Sequence, residues 1–309
     1  MELYFLGTGA GMPSKERNVT SMVLNLTVER GVYWMFDCGE GTQHQALRSP
    51  IKIGRLEKLF ISHLHGDHIY GIPGLLTSRS YQGGDTPFTL YGPKGIKQLV
   101  ELTLEVSGAH LGYELSIVEL ESGVIFEDAQ FRVETAELDH RVTSYGFRII
   151  EKDQSGKLLV DKLKEYNLQS GPLFGKLKSG LNITLPDGRE LQASQFLGPS
   201  VKGRIVTILG DTKPCPNVQV LAQGADLLVH EATFSKDRKD MAMKYDHSTT
   251  VDAAQAAKQA GADALIMTHL SSRYQGEAVD RLLDEAKSIH KHAFVSKDFW
   301  SYSVPKRTC

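Results

Sequence analysis

Potential metal donors stand where the predicted strands of this chain run out, and that placement constrains its fold more than any other feature. The apolar run Lys58-Leu-Phe-Ile-Ser62 leads into His63-Leu64-His65-Gly66-Asp67-His68. Gly203-Arg-Ile-Val-Thr-Ile-Leu209 leads into Gly210-Asp211-Thr212, Asp226-Leu-Leu-Val229 into His230-Glu231, and Ala264-Leu-Ile-Met267 into Thr268-His269. Random placement would scatter the histidines. Strands that each end in a donor call for a fold that collects strand ends on one rim, as open α/β sheets do.

Within the His63–His68 stretch, His63 and His65 are two apart, so in an extended segment they face one side and can grip one ion. Gly66 lets the chain turn and aims Asp67 and His68 at a second ion. His140, Asp211 and His269 can complete the two sets, with Asp211 the candidate bridge. Imidazole suits zinc, and two divalent ions ~3.5–4 Å apart suit displacement at phosphorus. The stretch is internal and contains Gly66 and Asp67, which makes a purification tag implausible. Asp37 closes the strand Val32–Phe36; it can accept a hydrogen bond from a ligand or cap a helix starting at Thr42, and the sequence does not separate these.

The rest of the chain alternates strands and helices. Leu3–Leu6, Ser21–Val28, Phe88–Tyr91, Leu115–Leu120, Phe131–Thr135 and Tyr145–Ile150 read as strands; Ile96–Val106 has helical spacing, and an Ala-rich helix ends at Gly261 with Ser248 or Thr249 as N-cap. This is an α/β chain with helices outside its sheets. Gly7-Thr8-Gly9-Ala10-Gly11 imitates a dinucleotide fingerprint, but Met12 replaces its last glycine and no amphipathic helix follows, so a tight turn suffices. From about 151 to 200 the composition shifts. Lys152, Lys157, Lys162, Lys164, Lys176 and Lys178 outnumber Asp153, Asp161 and Glu165, and long apolar runs vanish. This reads as an excursion from the core and not as a self-sufficient domain; a solvated surface is the plain alternative.

A formal charge of −2 gives no global attraction for nucleic acid, so an anionic partner has to be met by local basic patches. Cys38, Cys215 and Cys309 are too few and too scattered for a disulfide framework, which fits a reducing, cytoplasmic setting. The N-terminus carries no signal-peptide pattern, and no apolar run reaches the ~20 residues a membrane helix needs.

The H-x-H-x-D-H stretch and the spaced single ligands resemble the metallo-β-lactamase superfamily. Phe5-Leu-Gly-Thr-Gly-Ala10, Pro13-Ser-Lys-Glu-Arg-Asn18, Phe36-Asp-Cys-Gly-Glu40, His230-Glu-Ala-Thr233, His247-Ser-Thr249 and His269-Leu-Ser-Ser-Arg-Tyr274 narrow the resemblance to the ribonuclease Z family, end to end. That resemblance implies a four-layer αββα sandwich with an inserted flexible arm at about 151–200, usually as a homodimer. It implies two Zn2+ per chain, with Mn2+ a substitute: His63, His65 and His140 on one, Asp67, His68 and His269 on the other, Asp211 bridging. The implied reaction is hydrolysis of precursor tRNA after the discriminator nucleotide by a metal-bridging hydroxide. Asp67 is the implied proton acceptor, Glu231 the orienter of His247, and His247 the proton donor to the departing oxygen. Lys15, Arg17 and Asn18 would face the acceptor end, Lys176 and Lys178 would grip the tRNA body, and Arg273 would clamp a phosphate. The rivals are a hydrolase of small phosphodiesters, esters or lactams on the same fold, and a tRNA-binding protein whose metals are structural.

Overall fold

The computed structural model of the chain describes residues 1–166, 168 and 170–307. Its layering follows from strand periodicity, because successive side chains of a strand face opposite ways. In Val32–Phe36, Trp34 and Phe36 enter one apolar cluster while Tyr33 and Met35 enter another. In Leu227–Glu231, Leu227 and Val229 face the first of these clusters and Leu228 a third. Strands apolar on both faces have to be covered on both.

Strands β1 (Glu2–Gly7), β2 (Ser21–Leu26), β3 (Val32–Phe36), β4 (Leu56–Phe60), β5 (Phe88–Gly92) and β6 (Leu115–Glu119) build most of one sheet. β7 (Gly123–Glu127), β8 (Phe131–Leu138) and β9 (Ser144–Glu151) begin a second. After the short pair β10 (Ile183–Thr184) and β11 (Glu190–Leu191), that sheet is completed by β12 (Ile205–Leu209), β13 (Leu227–Glu231), β14 (Ala264–Thr268) and β15 (Ala293–Val295). β16 (Ser301–Ser303) returns to the first sheet and pairs antiparallel with β1. The orders are β16-β1-β2-β3-β4-β5-β6 and β15-β14-β13-β12-β9-β8-β7, seven strands each.

The aromatic cluster lies between the sheets: Trp34 meets Phe60, Phe126 and Phe131 edge-on at 5.3–5.8 Å, and Phe36 stacks on Phe60 at 5.0 Å. Helices Thr42–Leu47, Ile72–Tyr81 and Ile96–Ser107 cover the outside of the first sheet. Pro216–Ala222, Thr250–Ala260 and Glu277–Lys287 cover the second. The expected αββα sandwich is what forms. Thr249 caps Thr250–Ala260 through a capping box with Asp252.

Strand direction explains the rim. β3 runs parallel to β4, so Asp37 and His63 leave the first sheet on the same side. β12, β13 and β14 are parallel, and two antiparallel steps from β12 through β9 bring β8 back to the same direction. Asp211, Glu231, His269 and His140 therefore all emerge from one edge of the second sheet. Strand alternation turns His230 the other way, toward the helices: its Nδ1 donates to the Glu231 carbonyl at 2.7 Å, and it is no member of the donor clusters. That strand end supplies a carboxylate in its place.

Between the hydrogen-bonded neighbours β9 and β12, residues 152–202 leave the sandwich. Composition hid a small core there: Leu163, Leu177, Ile183, Leu185, Leu191 and Phe196 are buried against one another. Leu163 and Leu177 come from helices of one or two turns, Val160–Lys164 and Pro172–Lys178, Ile183 and Leu191 from the β10–β11 pair, and Leu185 and Phe196 from the segments after β10 and β11, so no long apolar run announces them. At the root, Arg204 bonds Glu151 at 2.7 and 3.0 Å and Glu29 at 2.7 Å. Among the described residues no helix is long and apolar enough to cross a membrane. Cys38 and Cys215 are free, and Cys309 lies outside the described residues.

Candidate metal centre and active site

Proton accounting shows what the donor clusters require. Asp37 accepts from Ser62 N at 2.7 Å, Ser62 Oγ at 2.9 Å and His68 Nδ1 at 2.8 Å. Having given its proton to Asp37, the Ser62 hydroxyl accepts from His63 Nδ1 at 3.0 Å. His140 Nδ1 donates to the Asp246 carbonyl at 2.7 Å. The far nitrogen of each ring is therefore left bare. His63 Nε2 lies 3.0 Å from His65 Nδ1, which lies 3.4 Å from His140 Nε2. His68 Nε2 lies 3.3 Å from His269 Nε2, itself 3.2 Å from Asp67 Oδ2. A proton on His65 Nδ1 would satisfy only one of the two bare nitrogens facing it, and none lies between His68 Nε2 and His269 Nε2. Such lone pairs repel unless a cation sits among them, so the residues fit metal ions in two places.

Asp211 Oδ2 lies between the sets, 3.5 Å from His63 Nε2, 3.5 Å from His68 Nε2 and 3.3 Å from His269 Nε2. It is buried, and no proton comes to it from these three bare nitrogens, so its charge also calls for a cation. Asp37 thus orients the His68 ring; the helix at Thr42 is entered from Gly41. Gly66 does not have the positive φ of a glycine turn; a Cβ there would lie 2.2 Å from the ring of the exposed Tyr70, which would have to swing aside.

Beside the clusters stands a second assembly. Glu231 is buried, and its Oε1 accepts from His247 Nδ1 at 2.9 Å, Ser248 N at 3.0 Å and Thr212 N at 3.2 Å. Its Oε2 accepts from Thr233 N at 3.0 Å and Thr233 Oγ at 2.8 Å. Thr233 Oγ in turn accepts from His269 Nδ1 at 2.9 Å, which leaves His269 Nε2 bare for the cluster. Burial alone would lower the His247 pKa, but the Glu231 charge and hydrogen bond raise it to about 9. The His247 Nδ1 is committed to Glu231, and with Asp211 and His269 this ring forms a third group of converging donors. The donors open into a cavity of about 280 Å3 bordered by His247, Asp67, Arg141, Phe234 and Tyr245. A larger one, about 390 Å3, lies against His230 under the helices, away from all donor sets.

The other expected contacts divide. Lys15, Lys176, Lys178 and Arg273 are exposed, and Arg273 lies over the Phe234 ring at 5.4 Å. Arg17 is not on offer to a phosphate: it is 7 % exposed, and Nη1 donates to Thr8 Oγ at 2.7 Å and to the Ser296 carbonyl at 2.6 Å. The half-buried Asn18 side chain donates to the Glu40 carbonyl at 2.9 Å. Sequence reasoning missed Arg141, Phe234 and Tyr245 at the cavity mouth and the linking hydroxyl of Thr233. Only Arg141, directly after His140, carried a signal that proximity to a ligand could have raised.

Comparison with solved structures gives the class. The metallo-β-lactamase fold protein YhfI from Bacillus subtilis matches with a TM-score of 0.68 and 18% identity over 97% of this chain and 98% of that one. The molecule has the metallo-β-lactamase fold. The human short-form tRNase Z matches with a TM-score of 0.73 and 31% identity over 99% of this chain and all of that one. Ribonuclease Z of Geobacillus kaustophilus is 53% identical over 306 residues, 99% of this chain and 100% of that protein. The chain belongs to the ribonuclease Z family. Residues 1–161 also match the family described as Anti-Pycsar protein Apyc1, to which this half of the chain belongs as well.

Proposed function

We propose that this hydrolytic nuclease processes the 3′ end of precursor tRNA, cutting after the discriminator nucleotide and leaving a 3′-hydroxyl on the tRNA. Family membership supports the activity. The observation that carries the mechanism is the pairing of two donor sets, joined by Asp211, with a His247–Glu231 couple at the same cavity. His63, His65 and His140 would hold one Zn2+ and Asp67, His68 and His269 the other; Mn2+ is a plausible substitute for an N/O donor set. Two such ions supply a nucleophile active at neutral pH and offset the charge that builds at phosphorus.

This chain's residues do the rest. Asp67 takes the proton of the attacking water; its Oδ2 lies 3.2 Å from the bare Nε2 of His269, on the side where the donors converge. As the bond from phosphorus to the 3′ oxygen breaks, His247 gives that oxygen a proton from Nε2 while Glu231 holds Nδ1. The trailer departs with the phosphate at its 5′ end. Arg141 and Arg273 would meet the backbone, and the partly exposed Tyr245 offers a ring for a base to stack on. Lys15, Asn18, Lys176 and Lys178 supply contacts outside the cavity, and the 152–202 excursion grips the tRNA body by phosphate contacts that follow shape.

The test is incubation with a precursor tRNA carrying a 3′ trailer in the presence of zinc or manganese. Release of the intact trailer is expected, and Asp67→Ala should abolish turnover while tRNA binding persists. No cleavage by the wild-type chain, or full turnover by Asp67→Ala, overturns the reading.

A further inference from the structure

Asp67 is held from an unexpected direction. Its Oδ2 accepts a hydrogen bond from the backbone N–H of Gly11 at 2.7 Å, in the glycine turn that follows β1. Gly11 has φ +72°, so the turn presents that amide in a conformation few other residues adopt. The turn is fixed on two sides. Ala10 N donates to the Leu270 carbonyl and Leu270 N to the Thr8 carbonyl, each at 3.0 Å; Thr8 N and Gly9 N donate to the Asn18 carbonyl at 3.0 and 2.8 Å.

Behind this backbone stands a buried polar brace. Thr8 Oγ donates to Asp298 Oδ1 at 2.7 Å and accepts from Arg17 Nη1 at the same distance. Asp298 Oδ2 accepts from Asn18 N at 2.7 Å and Gln45 Nε2 at 3.0 Å. One side of the turn is thus tied to the brace: the Asn18 backbone that holds Thr8 N and Gly9 N is itself held by Asp298, and the Thr8 hydroxyl joins Asp298 to Arg17.

We propose that Arg17, Thr8 and Asp298 are positioning residues for the hydrolytic step. Through Asn18 and the turn they place the Gly11 amide, which occupies one oxygen of Asp67 and fixes the orientation of its carboxylate. The 13–18 loop then has two separable jobs. Its exposed Lys15 looks outward, while its buried Arg17 acts inward on the chemistry. This inference rests on the assignment of Asp67 as proton acceptor.

The experiment compares Asp298→Asn, Thr8→Val and Thr8→Ser on two substrates, a precursor tRNA and bis(p-nitrophenyl) phosphate, with zinc content and melting temperature measured alongside. Asparagine keeps the shape but offers one acceptor oxygen where two are used. Valine removes the hydroxyl between Arg17 and Asp298, and serine restores it. The expected result is a kcat lower by on the order of tenfold to a hundredfold on both substrates for Asp298→Asn and Thr8→Val, the scale of a misplaced catalytic group. KM for precursor tRNA and zinc content should stay near wild type, and Thr8→Ser should recover most of the loss. A raised precursor KM with unchanged diester hydrolysis overturns the proposal, because the brace would then serve RNA contact alone. Unchanged kinetics in both variants overturn it too. Full turnover by Asp67→Ala would instead remove the assignment beneath it, so the two failures are distinguishable. Should Asp298→Asn fold poorly, the Thr8 pair decides alone.

Discussion

At the scale of the residue, the chemistry depends on which nitrogen carries a proton. Glu231 keeps His247 charged: burial favours the neutral ring, and the carboxylate more than reverses it, to a pKa of about 9. A proton donor works while protonated, so activity should persist through neutral pH and decline as pH rises through about 9. Glu231→Gln removes the charge and should shift this alkaline limb toward lower pH, with kcat falling more than KM; a pH–rate profile on precursor tRNA, whose departing 3′ oxygen needs the proton, reads it directly. The charged pair also stabilises the fold below the ordinary histidine pKa, and that contribution fades over the same alkaline window. Which residues were legible follows from chemistry. Histidine and aspartate at strand ends announce themselves by type and position. A backbone amide such as that of Gly11, or the hydroxyl of Thr233, has no compositional signature. Arg17 was misread because a cation in a polar loop looks the same in sequence whether it faces RNA or an internal carboxylate.

At the scale of the element, the sandwich strands and the longer helices were readable because burial on one or two faces imposes a period. Ser21–Val28 was read too long. The strand stops at Leu26, where the Asn25 side chain accepts from Thr27 N at 3.0 Å and starts a helical turn that Gly31 ends at φ +80°. The short strands β15 and β16 gave no period to read. The excursion was the hardest case, since its core is assembled from isolated apolar residues. That core predicts a separation of function. Phe196→Ala removes a 2 % exposed ring from it, at a local cost of about 3–5 kcal/mol. The excursion should loosen while the sandwich holds: KM for precursor tRNA rises severalfold and bis(p-nitrophenyl) phosphate hydrolysis stays near wild type. Equal loss on both substrates would tie the excursion to the cavity instead.

At the scale of the whole molecule, the two sheets meet at a rim where potential metal donors crowd with bare nitrogens toward each other. Removing metal with a chelator should therefore abolish cleavage and also lower the melting temperature, and zinc or manganese should restore both; a melting temperature indifferent to chelation would mean the sheets alone hold the rim. The pairing of β16 with β1, and the grip of Asp298 on Thr8, have one more consequence, which concerns the order of synthesis. A ribosome makes the cluster from His63 to His68 early, whereas His269, Asp298 and Ser301–Ser303 are translated after nearly every other element. Chains begin to fold from the N-terminal side as they emerge, yet here the second metal set, the brace and the outer strand of the first sheet come late. A translating ribosome surrounded by tRNA therefore carries an RNA-cutting protein whose second donor set and brace are completed only after most of the sandwich has been made.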